Sequence, residues 1–73
     1  MPIKRADITV QIRAPDRDTG IAITRLLNEV LRDEGLRRIR VEDPDGAAFF
    51  EHADMERLKG KRIGISISTE VMP

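Results

Sequence analysis

Apolar and polar residues alternate in three stretches of the chain, at its two ends and in its middle. This period of two is typical of β-strands that bury one face. The apolar positions are Ile8, Val10 and Ile12, then Ile39 and Val41, and finally Ile63, Ile65 and Ile67. Residues 43–46, Asp-Pro-Asp-Gly, are a strong turn signal, so residues 47–51 are expected to form a hairpin with the middle stretch. The pattern predicts four strands.

Two helices are predicted between these strands. From residue 21 to residue 34, apolar residues recur at intervals of three and four, which places them in one stripe along a helix. The stripe consists of Ile23, Leu26, Leu27, Val30 and Leu31. Asp or Thr within residues 16–20 is expected to cap the start, and Gly35 sits where a left-handed C-cap would be. Residues 54–59, closed by Gly60, are expected to form a shorter second helix.

This order of elements predicts an α+β fold, with one domain over residues 1–73. The ferredoxin-like order βαββαβ with a shortened second helix satisfies it. A βαββ two-layer sandwich, with a loop in place of the second helix, is the alternative. In both, the long helix covers one face of a mainly antiparallel sheet, and at least one of Phe49 and Phe50 anchors the core.

Charge and composition exclude several classes of protein. The chain of 73 residues has no Cys and 13 basic against 13 acidic residues, a formal net charge of zero. Zero net charge argues against a dedicated nucleic-acid binder, whose footprint is strongly basic. The lack of Cys indicates a reducing compartment, and the chain has neither a membrane-length apolar run nor the apolar core of a signal peptide. We therefore expect a cytoplasmic protein.

The outward face of the predicted sheet is the first candidate site. It would carry three arginines among small polar residues, a set that suits an acidic partner or another copy of the sheet. The residues predicted to bind a partner are Arg13, Arg38, Arg40, Gln11 and Ser66. An unpaired edge strand, to which a partner strand can be added, is a second route of docking.

Catalytic and metal sites find little support in the sequence. His52, Asp54 and Glu56 could point the same way on an extended segment, but there is no second His and no paired ligand elsewhere. No hydrolytic triad and no phosphate-binding loop is present. The sequence therefore predicts no metal and no cofactor. It favours a non-catalytic protein-binding module, namely an adaptor, an inhibitor or an oligomeric regulator, that binds a protein partner or itself.

Two resemblances suggest alternative functions. Residues 8–27, where a strand runs through Asp-Arg-Asp-Thr-Gly into a helix, look like the opening of ACT-type regulatory domains. In that family the turn glycine lets a small ligand approach the backbone at a dimer interface, which implies Gly20 and Asp18 as ligand contacts. This sequence departs from the family by an extra residue in the turn and by the short second helix.

The opening Met1-Pro2-Ile3 is similar to tautomerases of the 4-oxalocrotonate tautomerase type. After removal of Met1, those enzymes use the amine of the N-terminal proline as a general base. The resemblance implies Pro2 as that base. Here Pro2 is followed by Lys4, Arg5 and Asp7 before the apolar alternation starts, which departs from the family pattern.

Overall fold

The chain folds around a pair of helices. The computed structural model describes residues 8–71, which contain α1 (Arg17–Asp33) and α2 (His52–Lys59) in that order. The two helices pack against each other. Within residues 8–71, no helix is long and apolar enough to cross a membrane.

The α+β prediction is wrong, in both its ferredoxin-like and its βαββ form, because residues 8–71 contain no β-strand. Alternation specifies which side of a strand is apolar, but a strand also needs a neighbour that pairs with its backbone groups. Each predicted strand lacks such a neighbour among the described residues. The stretches instead form three segments outside helices and turns: the N-terminal segment (residues 8–14), the middle segment (residues 36–41) and the C-terminal segment (residues 62–71).

The first predicted helix is confirmed as α1, which begins four residues before the predicted apolar pattern, within the predicted start signal, and ends at Asp33. Asp16 is the N-cap, and its carboxylate accepts a hydrogen bond of 2.8 Å from the backbone N–H of Thr19. At the other end, Gly35 adopts a positive φ of 97°. The N–H of Leu36 then donates to the carbonyl of Leu31 at 3.0 Å, so one of the terminal carbonyls of the helix is satisfied.

The predicted short helix is confirmed as α2, which begins two residues earlier than expected. The carboxylate of Asp54 accepts a hydrogen bond of 2.9 Å from the backbone N–H of Glu51, which closes the first turn. Gly60 ends the helix with a right-handed φ of −73°, so its conformation does not require glycine.

The turn at residues 43–46 is confirmed, but the strand predicted after it is wrong. The N–H of Ala47 donates to the carbonyl of Asp43 at 3.1 Å, and that of Ala48 donates to Asp45 at 3.4 Å. The turn thus continues through the first residues of the predicted strand. Gly46 is buried here, and a Cβ at this position would lie 2.9 Å from Cγ2 of Thr24 on α1. Glycine is needed for this close approach to the helix.

The core is thin and mostly polar. Among the described residues, Ala22 is the fully buried apolar side chain, the buried polar residues are Thr19, Asn28 and Asp54, and Gly46 is buried as well. The apolar stripe of α1 is only half-buried, and Val30 is 49% exposed. Phe49 is 89% exposed and therefore does not anchor the core, whereas Phe50 is half-buried. Without a sheet, the stripe has no broad apolar surface to cover it.

Candidate protein-docking surface

The C-terminal segment carries three exposed apolar side chains, and the N-terminal segment exposes two, Ile8 and Val10. Ile65 is 65% exposed and Ile67 is 90% exposed, and Val71 is also exposed. Ser66 and Ser68, which separate them, are exposed as well. The backbone of this segment takes part in no strand pairing within residues 8–71. The segment therefore exposes both apolar side chains and backbone groups.

The start of this segment is fixed to the start of α1 through Lys61. Its Nζ donates a hydrogen bond of 2.6 Å to Oγ1 of Thr19 and lies 3.2 Å from Oδ2 of Asp16. Asp16 also accepts a bond of 3.0 Å from the Thr19 hydroxyl. These hydrogen bonds, first the one from the Thr19 backbone, hold the pKa of Asp16 below its usual value. The ammonium group of Lys61 thus joins the cap of α1 to the start of the C-terminal segment.

The two helices are joined by a buried ion pair. Nη1 of Arg25 on α1 lies 3.0 Å from Oδ1 and 3.1 Å from Oδ2 of Asp54 on α2, and Asp54 is only 1% exposed. The pKa of Asp54 is lowered, first by the backbone hydrogen bond from Glu51 and then by Arg25, against the opposing effect of burial. Arg57 lies farther away, at 3.6 Å. Because the buried carboxylate is fully paired, it is stable in its charged form.

Arg25 and Arg17 also hold the turn between the helices. Nε of Arg25 donates to the carbonyl oxygen of Asp45 at 2.8 Å. Arg17 lies 2.9 Å from the carboxylate of Asp43 and 2.8 Å from that of Asp45, and both pairs are exposed. The guanidinium of Arg17 lowers the pKa of Asp43. The two helices and the turn between them are therefore connected mainly by polar contacts.

The predicted partner-binding residues are all exposed, but no sheet unites them within residues 8–71. Gln11 and Arg13 lie in the N-terminal segment, and Arg38 and Arg40 lie in the middle segment. Ser66 lies in the C-terminal segment. The common polar face expected from the alternation is therefore absent from this part of the chain, and the residues belong to three separate segments.

Of the residues implied by the two resemblances, the structure describes Asp18 and Gly20. Asp18 and Gly20 both lie in the first turn of α1 and not in a turn that precedes it. Gly20 lines a groove with Ile12 and Asp43, whereas Asp18 is not among the residues of that groove. Pro2 lies outside the described residues. A ligand role for Asp18 and Gly20 and a catalytic role for Pro2 remain predictions.

The spacing of His52, Asp54 and Glu56 does not produce a common cluster. These residues lie on α2, where Asp54 is buried against Arg25 while His52 is exposed. His52 instead lies 3.5 Å from Glu56, one helical turn away. Among residues 8–71, no group of three or more acidic or histidine side chains is arranged to hold a metal ion.

The chain matches no protein-family model, no curated protein and no solved structure at a significant level. A functional inference consequently depends on the geometry of the chain alone.

The alternation predicted that Ile65 and Ile67 lie on the buried side of a strand, whereas both are exposed. A signal was present, because a chain this short predicts a thin core and has three alternating stretches to cover. No comparable feature of the sequence indicated the ion pair between Arg25 and Asp54. The two residues are 29 positions apart, and charged residues occur throughout the sequence.

Proposed function

We propose that this chain is a non-catalytic protein-binding module that docks through its C-terminal segment. The observation that carries the proposal is the exposure of Ile65 and Ile67 on a segment whose backbone is unpaired within the described residues. Such a segment binds by adopting a strand conformation beside another polypeptide. Backbone hydrogen bonds then provide affinity, while alternate side chains provide specificity.

Exposed apolar side chains and unpaired backbone groups together favour docking over a purely structural role. Single exposed apolar residues are common on protein surfaces and need no explanation. Here two β-branched residues alternate with two serines, the pattern of a strand with one apolar side. In a strand conformation, Ile65 and Ile67 would lie on the side that contacts the partner, and Ser66 and Ser68 would face solvent.

The exposed arginines are the second part of the proposal. Arg38 and Arg40 make no ion pair with another residue of the described range, and the same holds for Arg13. We assign to them, with Gln11, the polar contacts at the edge of the docked complex. Charges at such positions influence the rate and selectivity of association more than its final strength.

A pair of matched double substitutions tests the docking segment. Ile65→Gln with Ile67→Gln removes the apolar side, while Gly64→Gln with Ser68→Gln changes two neighbouring positions of the other side to the same residue. Because all four positions are exposed, both variants should retain the helical circular dichroism of the wild type. In cells, the tagged wild-type chain is cross-linked to its partner proteins. We expect these cross-linked proteins to be absent with the isoleucine variant and present with the control variant.

Equal cross-linking by both double variants would contradict the proposed docking segment. A wild-type chain that cross-links to no protein at all, including a second copy of itself, would contradict the proposed function.

Arg38→Glu with Arg40→Glu tests the contribution of the arginines. Both residues are exposed, so the melting temperature should stay nearly unchanged. The cross-linked yield should fall, and it should fall further at low ionic strength, where charge effects are larger. An unaltered yield at low salt would show that the arginines do not contact the partner.

A further inference from the structure

The chain exposes far more surface than a compact monomer of its size. Its accessible surface is 7165 Å², whereas a folded monomer of 8.3 kDa exposes roughly 4,600 Å². The excess, about 2,600 Å², exceeds the roughly 800 Å² that each partner buries in a stable complex of standard size. The radius of gyration agrees, at 14.0 Å against about 11 Å for a compact chain of this length. The single chain therefore exposes enough surface for an interface of standard size.

The C-terminal segment is complementary to its own reversed copy. When two copies run antiparallel with Ser66 opposite Ser66, Arg62 of each copy lies opposite Glu70 of the other. The same register places Ile65 opposite Ile67 and Ile63 opposite Thr69. Apolar residues therefore meet apolar or β-branched residues on one side, and opposite charges meet on the other.

The charges needed for this register are accessible. Arg62 and Glu70 are both exposed, and neither makes an ion pair with another residue of 8–71. The attachment of Lys61 to Thr19 fixes the chain immediately before Arg62, so the segment begins at a defined place. Symmetry makes each favourable pair occur twice, as expected for an interface between identical chains.

We propose that the partner of the C-terminal segment is the same segment of a second copy of this chain. The two segments pair antiparallel about a two-fold axis at Ser66, and their isoleucines lie on one side of the resulting ribbon. The half-buried apolar stripe of α1, with the exposed Val30, provides a surface that covers these isoleucines. An isolated two-stranded ribbon is marginally stable in water, so this cover is needed. The inference rests on the proposed function and specifies its partner.

Charge exchange across the pair tests the register. Arg62→Glu places Glu opposite Glu at both sites, and Glu70→Arg places Arg opposite Arg. Each variant alone should dimerise about tenfold more weakly than the wild type, measured by analytical ultracentrifugation. An equimolar mixture of the two should recover wild-type affinity, because each heterodimer contains two opposite-charge pairs. The double variant in one chain should recover it as well.

Single cysteines provide an independent test, because the chain has no Cys of its own. In the proposed register, Ser66→Cys places two thiols directly opposite each other, within reach of a disulfide. Ser68→Cys places them roughly 13 Å apart along the ribbon, too far for a disulfide. Under mild oxidation of the full-length chain, we expect a disulfide-linked dimer from the Ser66 variant and almost none from the Ser68 variant.

Three results would overturn this inference: a wild-type chain that is monomeric at all concentrations, equal disulfide yields from the two cysteine variants, or charge variants that fail to complement each other. A monomeric chain that still cross-links to another protein through Ile65 and Ile67 would retain the proposed function and refute the second copy as partner. The two failures are therefore distinguishable.

Discussion

At the scale of single residues, Asp54 connects the two helices through its buried carboxylate. Its carboxylate accepts hydrogen bonds from the backbone N–H of Glu51 and from the guanidinium of Arg25. It therefore fixes the start of α2 and joins that helix to α1. A carboxylate that is 1% exposed requires all of these partners, because an unpaired charge away from water is strongly unfavourable.

Removal of this carboxylate should therefore destabilise the chain. We expect Asp54→Ala to lower the free energy of unfolding by about 3 kcal/mol, since Arg25 and the N–H of Glu51 lose their partner. A small domain has only a few kcal/mol in reserve, so the helical signal should fall markedly at room temperature. Urea unfolding followed by circular dichroism measures the effect.

Asp33→Ala is the matched control, because Asp33 is exposed and lies at the carboxyl end of α1, where a negative charge is not favoured. Its free energy of unfolding should equal that of the wild type or exceed it slightly. Equal losses in the two variants would show that the Arg25–Asp54 pair contributes little.

Acid should destabilise the protein through the same residue. The pKa of Asp54 is lower in the folded chain than in the unfolded chain, so its contribution is complete above the unfolded pKa of about 4. The contribution is lost as the pH falls through the folded pKa. Urea midpoints measured from about pH 6 to about pH 3 should decrease for the wild type. They should decrease less for Asp54→Asn, and parallel curves would contradict the assignment.

At the scale of elements, the two helices and the turn between them form one unit. The turn touches α1 at Gly46, where there is no room for a side chain. This contact lies beside the polar bonds from Arg17 and Arg25, so the position of the turn is determined by shape and by charge together.

A methyl group at Gly46 should disrupt this contact. Its Cβ would lie 2.9 Å from Cγ2 of Thr24 and 3.3 Å from Cγ1 of Val41, closer than van der Waals contact allows. We expect Gly46→Ala to reduce the free energy of unfolding by about 1–2 kcal/mol. Gly64→Ala is the control, because no atom lies within 4 Å of a Cβ there. A similar loss in both variants would mean that Gly46 is not closely packed.

The sequence predicted the helices better than any other element. The cap at the start of α1, the positive φ of Gly35 after its end and the second helix before Gly60 depend on residues close together in the chain, so local chemistry is sufficient to find them. The strands could not be predicted in the same way. Alternation at Ile8–Ile12 or Ile63–Ile67 is a local signal, whereas the partner of a strand is a long-range property.

The candidate site was predicted in part. The exposure of Arg13, Arg38, Arg40, Gln11 and Ser66 agrees with the expectation that they face solvent. Their placement on a common sheet face does not hold in the described range, because the face depended on strand pairing. Lys61 was missed since its partners, Asp16 and Thr19, are more than 40 positions away in sequence.

At the scale of the whole molecule, the single chain is elongated, with principal extents of 48, 25 and 20 Å. In the segments outside the helices, Ile8, Ile65 and Ile67 are exposed, while the apolar stripe of α1 is half-buried.

This shape yields a prediction for the monomeric variant. Arg62→Glu, at concentrations where it is a single chain, should have a radius of gyration by small-angle X-ray scattering close to 14.0 Å. A value near the roughly 11 Å of a compact chain would show that the segments pack onto the helices without a second copy. That result would contradict the uncovered surface on which the dimer depends.

The thin core also has a calorimetric consequence. The heat capacity of unfolding increases with the apolar surface that becomes exposed, and within residues 8–71 the apolar stripe of α1 is only half-buried, with Ala22 as the fully buried apolar side chain. Its free energy of unfolding should consequently change slowly with temperature, and its thermal transition should be broad. Pairing of two chains would bury the isoleucines and restore a large heat capacity change. The temperature dependence of the free energy of unfolding would then be determined by the dimer more than by the single chain.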